Sequence, residues 1–107
     1  MRISEENGYV YLAVDGDGNT KVGCASNVFR RMNQLRIKCH DIKLVATIPA
    51  VKHTYLEKML HYELRDSRIK NEWFSGDVLS RVINYIKYHG EIFGVGMIVI
   101  EKKKNWQ

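Results

Sequence analysis

The chain has 107 residues, 45% of them hydrophobic, a length that argues for one domain with a modest core and no need of staples. Two cysteines, Cys24 and Cys39, are too few for a disulfide framework and read as reduced thiols of a cytoplasmic protein. The first residues lack an apolar signal region, and the longest apolar run, 92–100, falls far short of the ~20 residues of a membrane span. Seventeen Lys and Arg against twelve Asp and Glu leave a formal charge of +5, which suits attraction to phosphate backbones as well as an ordinary basic protein.

In chain order, residues 1–7 are polar and read as a short lead-in. The next segment alternates as a strand does: Val10, Leu12 and Val14 share one face, and Tyr9, Tyr11 and Ala13 the other. Residues 15–19, Asp-Gly-Asp-Gly-Asn, supply turn chemistry. They also open like a calcium loop. Thr20 and Ser26 stand where that loop needs Gly and Glu, so a hairpin turn is the better reading. Residues 20–25 return as a second strand, with Lys21 and Gly23 facing opposite to Val22. Gly23 is read as structural, permitting a close backbone approach or a bulge.

Ser26 or Asn27 caps a helix whose buried stripe is Val28, Met32 and Leu35. Arg31 falls at the edge of that stripe and Arg30 nearly opposite it. After a connection over 37–41, Ile42, Leu44, Ala46 and Ile48 alternate with Lys43, Val45 and Thr47 as a third strand, closed by Pro49. A second helix is expected over 51–68. Leu56, Met59, Leu60 and Leu64 form its apolar face, with Tyr55 and Tyr62 at the edge, Glu57 at the margin and Glu63 nearer the centre. Residues 71–76 form a loop or short strand carrying Trp73 and Phe74 as core or lid residues. Asp77 caps a third helix that directs Val78, Val82, Tyr85 and Ile86 inward and ends at Gly90. The β-branched run 92–100 reads as a strand able to close the sheet, pair with a second copy, or take a partner by strand addition. Lys102, Lys103 and Lys104 read as a solvated tail.

Tyr9-Val10-Tyr11, a turn, Lys21-Val22-Gly23 and Arg31 in this order resemble the GIY-YIG endonuclease superfamily. Tyr11 matches the tyrosine of the first motif, and Val22 and Gly23 the end of the second. Lys21 falls where most members have a tyrosine, and Arg31 matches the helix arginine. The runs Leu56-Glu57-Lys58-Met59-Leu60-His61 and Glu72-Trp73-Phe74 are similar to a phage-associated branch that carries lysine at that place. The resemblance covers roughly residues 8–76. It implies an α/β (α+β) domain with a small, mainly antiparallel sheet flanked by helices, followed by a C-terminal helix and strand over 77–101. The whole chain, 1–107, is then one domain, working in a host cytoplasm if viral.

The same resemblance implies a metal-dependent endonuclease acting on DNA. Phosphodiester hydrolysis needs a positioned water, neutralised phosphate charge and a stabilised leaving oxygen. A divalent ion such as Mg²⁺ or Mn²⁺ can meet the last two, held by as little as one protein carboxylate. Glu57 matches the family's metal ligand. Arg31 would grip the scissile phosphate. Tyr11 would act as base or orient the water. Lys21 would position water, lower the Tyr11 pKa, or act as base itself. His61 would be an acid or a phosphate contact.

Tyr9, Arg30, Arg31 and Lys58 are the expected nucleic-acid contacts, and a homodimer is a further expectation. His53, Glu57 and His61 share one helical face, a zinc-like set whose plainer reading is a polar surface. His40 lies in a loop where some members place a functional histidine. Two other classes compete. One is a nucleic-acid-binding module without catalysis, and the other is a protein-interaction domain using the C-terminal strand. Phosphate-driven binding weakens steeply with salt, and an apolar strand contact does not.

Overall fold

The structure, a computed structural model, describes residues 8–101; the lead-in and the lysine tail expected from the sequence lie outside them. Strand β1 (Gly8–Val14) and strand β2 (Thr20–Ala25) form the expected hairpin. Asp15 Oδ1 accepts from the backbone N–H of Asp17 at 2.9 Å and of Asn19 at 3.0 Å. Gly18 adopts φ +82°, which a side chain would resist. The Asp side chain thus closes a tight turn from within. Helix α1 (Val28–Lys38) is capped by Asn27, whose Oδ1 accepts from Arg30 N at 2.9 Å.

Strand β3 (Lys43–Ala50) returns antiparallel to β1. It runs through Pro49 instead of closing there. The Pro49 carbonyl faces outward and accepts from Gly96 N at 2.9 Å. The missing N–H faces outward too, so β1 loses no bond.

Helix α2 (His53–Glu63) is shorter than expected, because a 3₁₀ turn (Arg65–Ser67) follows Leu64 and leads into β4 (Arg68–Lys70). It buries Leu56 and Leu60, while Tyr55, Met59 and Tyr62 are exposed, so the apolar face is narrower than the sequence suggested. Glu63 is also exposed, which relieves the oddity of a central acid. Strand β5 (Trp73–Phe74) pairs with β2 and sends Phe74 into the core. Helix α3 (Leu79–Phe93) passes through Gly90 and ends at Gly94, which takes the left-handed φ of +67°. Of the expected final strand, β6 (Val99–Ile100) pairs at the outer side of β3, and Val95 adds an isolated antiparallel bridge to Ala50.

The six strands form one antiparallel sheet in the order β4-β5-β2-β1-β3-β6. The α+β architecture with flanking helices is the one the sequence implies. Alternation in β1 divides the core. Val10 and Leu12 join Leu56, Leu60, Val82 and Phe93 under α2 and α3. Tyr11 and Ala13 join Met32 and Ile42 under α1. Each face of the sheet therefore meets its own helical layer.

Candidate active site

Two faces of the sheet meet at one edge of β2, and the side chains of interest gather there. Tyr11 stands directly opposite Gly23 across the hairpin. A Cβ on Gly23 would lie 2.6 Å from Tyr11 Oη, 2.7 Å from Tyr11 Cζ and 3.0 Å from Glu72 Oε1. The glycine thus opens a hollow that the phenol and the Glu72 carboxylate share. Lys21, two residues earlier on the same face, ion-pairs with Glu72 Oε1 at 3.0 Å, and its Nζ lies 5.6 Å from the Trp73 ring centroid. Glu72 is rooted by its own backbone, whose carbonyl accepts from Val22 N at 2.9 Å.

Helix α2 approaches the same edge from the other face. His61 Nε2 bonds the Val22 carbonyl at 2.8 Å. A carbonyl only accepts, so Nε2 carries the hydrogen. The His61 ring meets Phe74 edge-on, with centroids 5.1 Å apart, and Nε2 lies 3.8 Å from Glu57 Oε2. Cys24 Sγ donates to Glu57 Oε1 at 3.5 Å. The β5 ladder along β2 covers Thr20 and Lys21 and ends with the bond from Val22 N to the Glu72 carbonyl.

Burial pushes the Glu57 carboxyl above its ordinary range, and the neighbouring Glu72 carboxylate pushes it further; His61 pulls the other way. The Cys24 thiol rises to about 11, through burial first and Glu57 second. It is therefore a proton-bearing donor at neutral pH and no nucleophile. Burial also raises the Tyr11 phenol, against the opposing pull of the Arg31 guanidinium. Arg31 is thus a cation acting on Tyr11. The Tyr11 hydroxyl is buried beside the Arg31 guanidinium, its approach falling outside strict hydrogen-bond geometry.

The geometry therefore brings Tyr11, Lys21 and Arg31 together on the α1 face and Glu57 and His61 on the α2 face. Glu72 stands between the two groups. Tyr9 is half-buried on the Tyr11 side of β1, between Ala25 and Pro49. Arg30 and Lys58 are exposed. His53 turns against Gly8 with its Nδ1 buried and unbonded, so it does not join Glu57 and His61 in one cluster. No group of three or more His, Cys, Asp or Glu side chains is set to hold a metal ion among the described residues. His40 is exposed beside Asp15 and Asp41 at the far end of α1.

Sequence reasoning did not single out Glu72 as a site residue, although it opens the Glu72-Trp73-Phe74 run. Cys24, a reduced thiol by its sequence context, bonds Glu57 through the packing of α2 on β2.

A family model described as the T5orf172 domain matches residues 8–97. Neither the curated proteins nor the solved structures give a match. No helix among the described residues is long and apolar enough to cross a membrane.

Proposed function

Since the chain belongs to the T5orf172 domain family, a phage-associated and nuclease-like group, we propose that it is a GIY-YIG-type endonuclease that hydrolyses DNA phosphodiester bonds with Mg²⁺ or Mn²⁺. The observation that carries this reading is the gathering of Tyr11, Lys21 and Arg31 on one face of β2 and Glu57 on the other, with Glu72 between them beside the Gly23 hollow. The residues fit a hard divalent ion. Burial and Glu72 both oppose the Glu57 charge, a conflict that a cation relieves. One or two carboxylates suffice for an ion that keeps most of its waters. Such an ion, when bound, would offset charge on the phosphate and the leaving oxygen.

The chain's own groups divide the remaining work. Glu57 would hold the ion, with the Cys24 thiol that donates to its Oε1 fixing the carboxylate orientation. Arg31 would grip the scissile phosphate and set it in line. Tyr11, kept protonated by burial, would orient the attacking water through its hydroxyl instead of removing a proton from it. Lys21, steadied by Glu72, would add positive charge at the phosphate. His61 would position α2, since its Nε2 hydrogen is engaged by Val22.

A second reading keeps the fold and loses the chemistry. The Lys21–Glu72 pair favours it, because a lysine held by a carboxylate is neither a free cation nor a base. One assay separates the two: plasmid, duplex, single-stranded DNA and RNA incubated with Mg²⁺ or Mn²⁺, wild type against Glu57→Gln. The nuclease reading expects cutting by wild type and a loss of at least 10²-fold in the variant. Equal cutting by both proteins overturns the role of Glu57. No cutting by either favours the binding module.

A further inference from the structure

One cleft beside the site has Arg31, Lys38 and the Glu72-paired Lys21 in its wall. It lies between α1 and the β2–β5 edge, encloses about 530 Å³, and includes Lys21, Arg31, Gln34, Lys38 and Trp73 in its wall. That volume is in the range of small-ligand pockets, about 300–1,000 Å³. Arg31, Gln34 and Lys38 recur at helical spacing, so they form one stripe along α1, two turns or roughly 10–11 Å long. Trp73 forms the opposite wall. The β5 pairing to β2 holds it there, and Lys21 lies over its ring. The cleft therefore offers charge for phosphate on one side and a rigid aromatic surface on the other.

Its far end is closed electrostatically. Beyond Lys38 the next hollow is walled by Asp15, Asp17 and Asp41. A polyanion entering past Arg31 meets repulsion there and must turn away. We propose that this cleft seats a single unpaired nucleotide next to the scissile phosphate, with its own phosphate between Arg31 and Lys38 and its base against Trp73. An unpaired base is required, because a base within a duplex presents no face to Trp73. This subsite rests on the nuclease reading and adds a preference for a frayed, flapped or single-stranded flank.

The test uses the full chain carrying Trp106→Phe, which leaves Trp73 as its one tryptophan. Binding of a short single-stranded deoxyoligonucleotide is measured in EDTA by Trp73 fluorescence and by anisotropy of a labelled strand. The expected result is quenching of Trp73 that tracks the anisotropy. Lys38→Ala should weaken binding about tenfold and flatten the salt dependence by about 0.7 in log–log slope. Lys87→Ala, exposed on α3, should change neither.

Binding that leaves Trp73 unquenched, or an unchanged slope in Lys38→Ala, overturns the subsite, and so does an absence of binding. Deoxyadenosine monophosphate serves as the comparison ligand; if it binds as tightly as the strand, the cleft is a free-nucleotide pocket and the strand path fails. The two readings fail separately. Quenching without cutting on any substrate sinks the nuclease and leaves the cleft standing. Cutting by a protein whose Trp73 never senses the strand does the reverse.

Discussion

Glu57 carries a charge that its surroundings resist. Its folded-state pKa is raised, so the unfolded chain ionises this carboxyl more readily than the folded one does. The contribution of Glu57 to stability is then complete below the unfolded carboxyl range and is lost as pH rises through the raised folded value. Glu57→Gln removes that cost while keeping an oxygen for the Cys24 thiol. The variant should melt at higher temperature than wild type at pH 7, and the gain should shrink as pH falls through the carboxylate range. Thermal denaturation across pH tests this independently of any substrate. The same reasoning gives Mn²⁺ a stabilising effect on wild type that the variant lacks. Equal melting of both proteins at pH 7 with no shift on adding Mn²⁺ would remove Glu57 as the strained carboxylate of the site.

Gly23 is the second residue whose chemistry is set by a neighbour. Its missing Cβ is the space that Tyr11 Oη uses, at 2.6 Å from where that carbon would stand. The Tyr11 ring is fully buried and cannot swing aside. Gly23→Ala should therefore destabilise by about 1–3 kcal/mol, as overpacking does. It should also lower cleavage more than Tyr11→Phe does, because it displaces both the phenol and Glu72. Melting temperature and initial rates on the same preparations decide this.

Tyr11, Lys21, Gly23 and Arg31 were legible through the motif resemblance, with strand alternation and helical phase adding the face each occupies. Glu72 was not. It follows a short turn at Asn71, where φ is +52°, and the β4–β5 register shifts between Arg68 and Lys70. No local periodicity reports where such a side chain points.

The elements repeat this contrast. Strands β1 to β3 were readable to within a residue or two, since each has one face per core. The helix ends were not, because two glycines compete to end α3. Gly90 is the one the pattern suggests, yet it stays helical and buried, where a Cβ would meet Ile86 at 2.8 Å and Val95 at 3.4 Å. Gly94 ends the helix in the left-handed region, and its N–H bonds back to the Glu91 carbonyl at 3.1 Å. That choice lets Val51 and Lys52 donate to the carbonyls of Gly94 and Phe93, tying α3 to the entry of α2.

Long-range hydrogen bonds thus decide between two locally plausible stops, and a sequence window does not contain them. The same ending consumes the first residues of the apolar run 92–100, which is why so little of it is strand. Gly94→Ala should cost about 1–2 kcal/mol for the left-handed backbone. It adds a clash with Val51, whose Cβ would be 2.9 Å away. For a domain of this size each kcal/mol lowers the melting temperature by about 4–8 °C. The equivalent Gly90→Ala variant tests packing alone, since its φ is ordinary; a Gly94→Ala protein that melted with wild type would mean that the assigned helix end is wrong.

At the scale of the molecule, one sheet serves two cores. Val10 and Leu12 anchor the layer under α2 and α3, while Tyr11 and Ala13, their chain neighbours, anchor the layer under α1. Neither layer can open without exposing one face of β1. The proposed site needs both layers, because Glu57 comes from one and Arg31 from the other. Stability and site geometry are therefore coupled through β1 and β2.

Met32→Ala, in the α1 layer, and Leu60→Ala, in the α2 layer, remove fully buried apolar groups and should each cost about 2–5 kcal/mol. Both should lower a single, shared melting transition. In a Trp106→Phe background, far-ultraviolet dichroism, which reports all helices, and Trp73 fluorescence, which reports the α1 layer, should follow the same curve in each variant. Separated curves in Met32→Ala, with the tryptophan signal lost first, would mean that the α1 layer opens alone. Arg31 could then leave the site while the rest of the sheet stays folded, and the two faces would act as independent units.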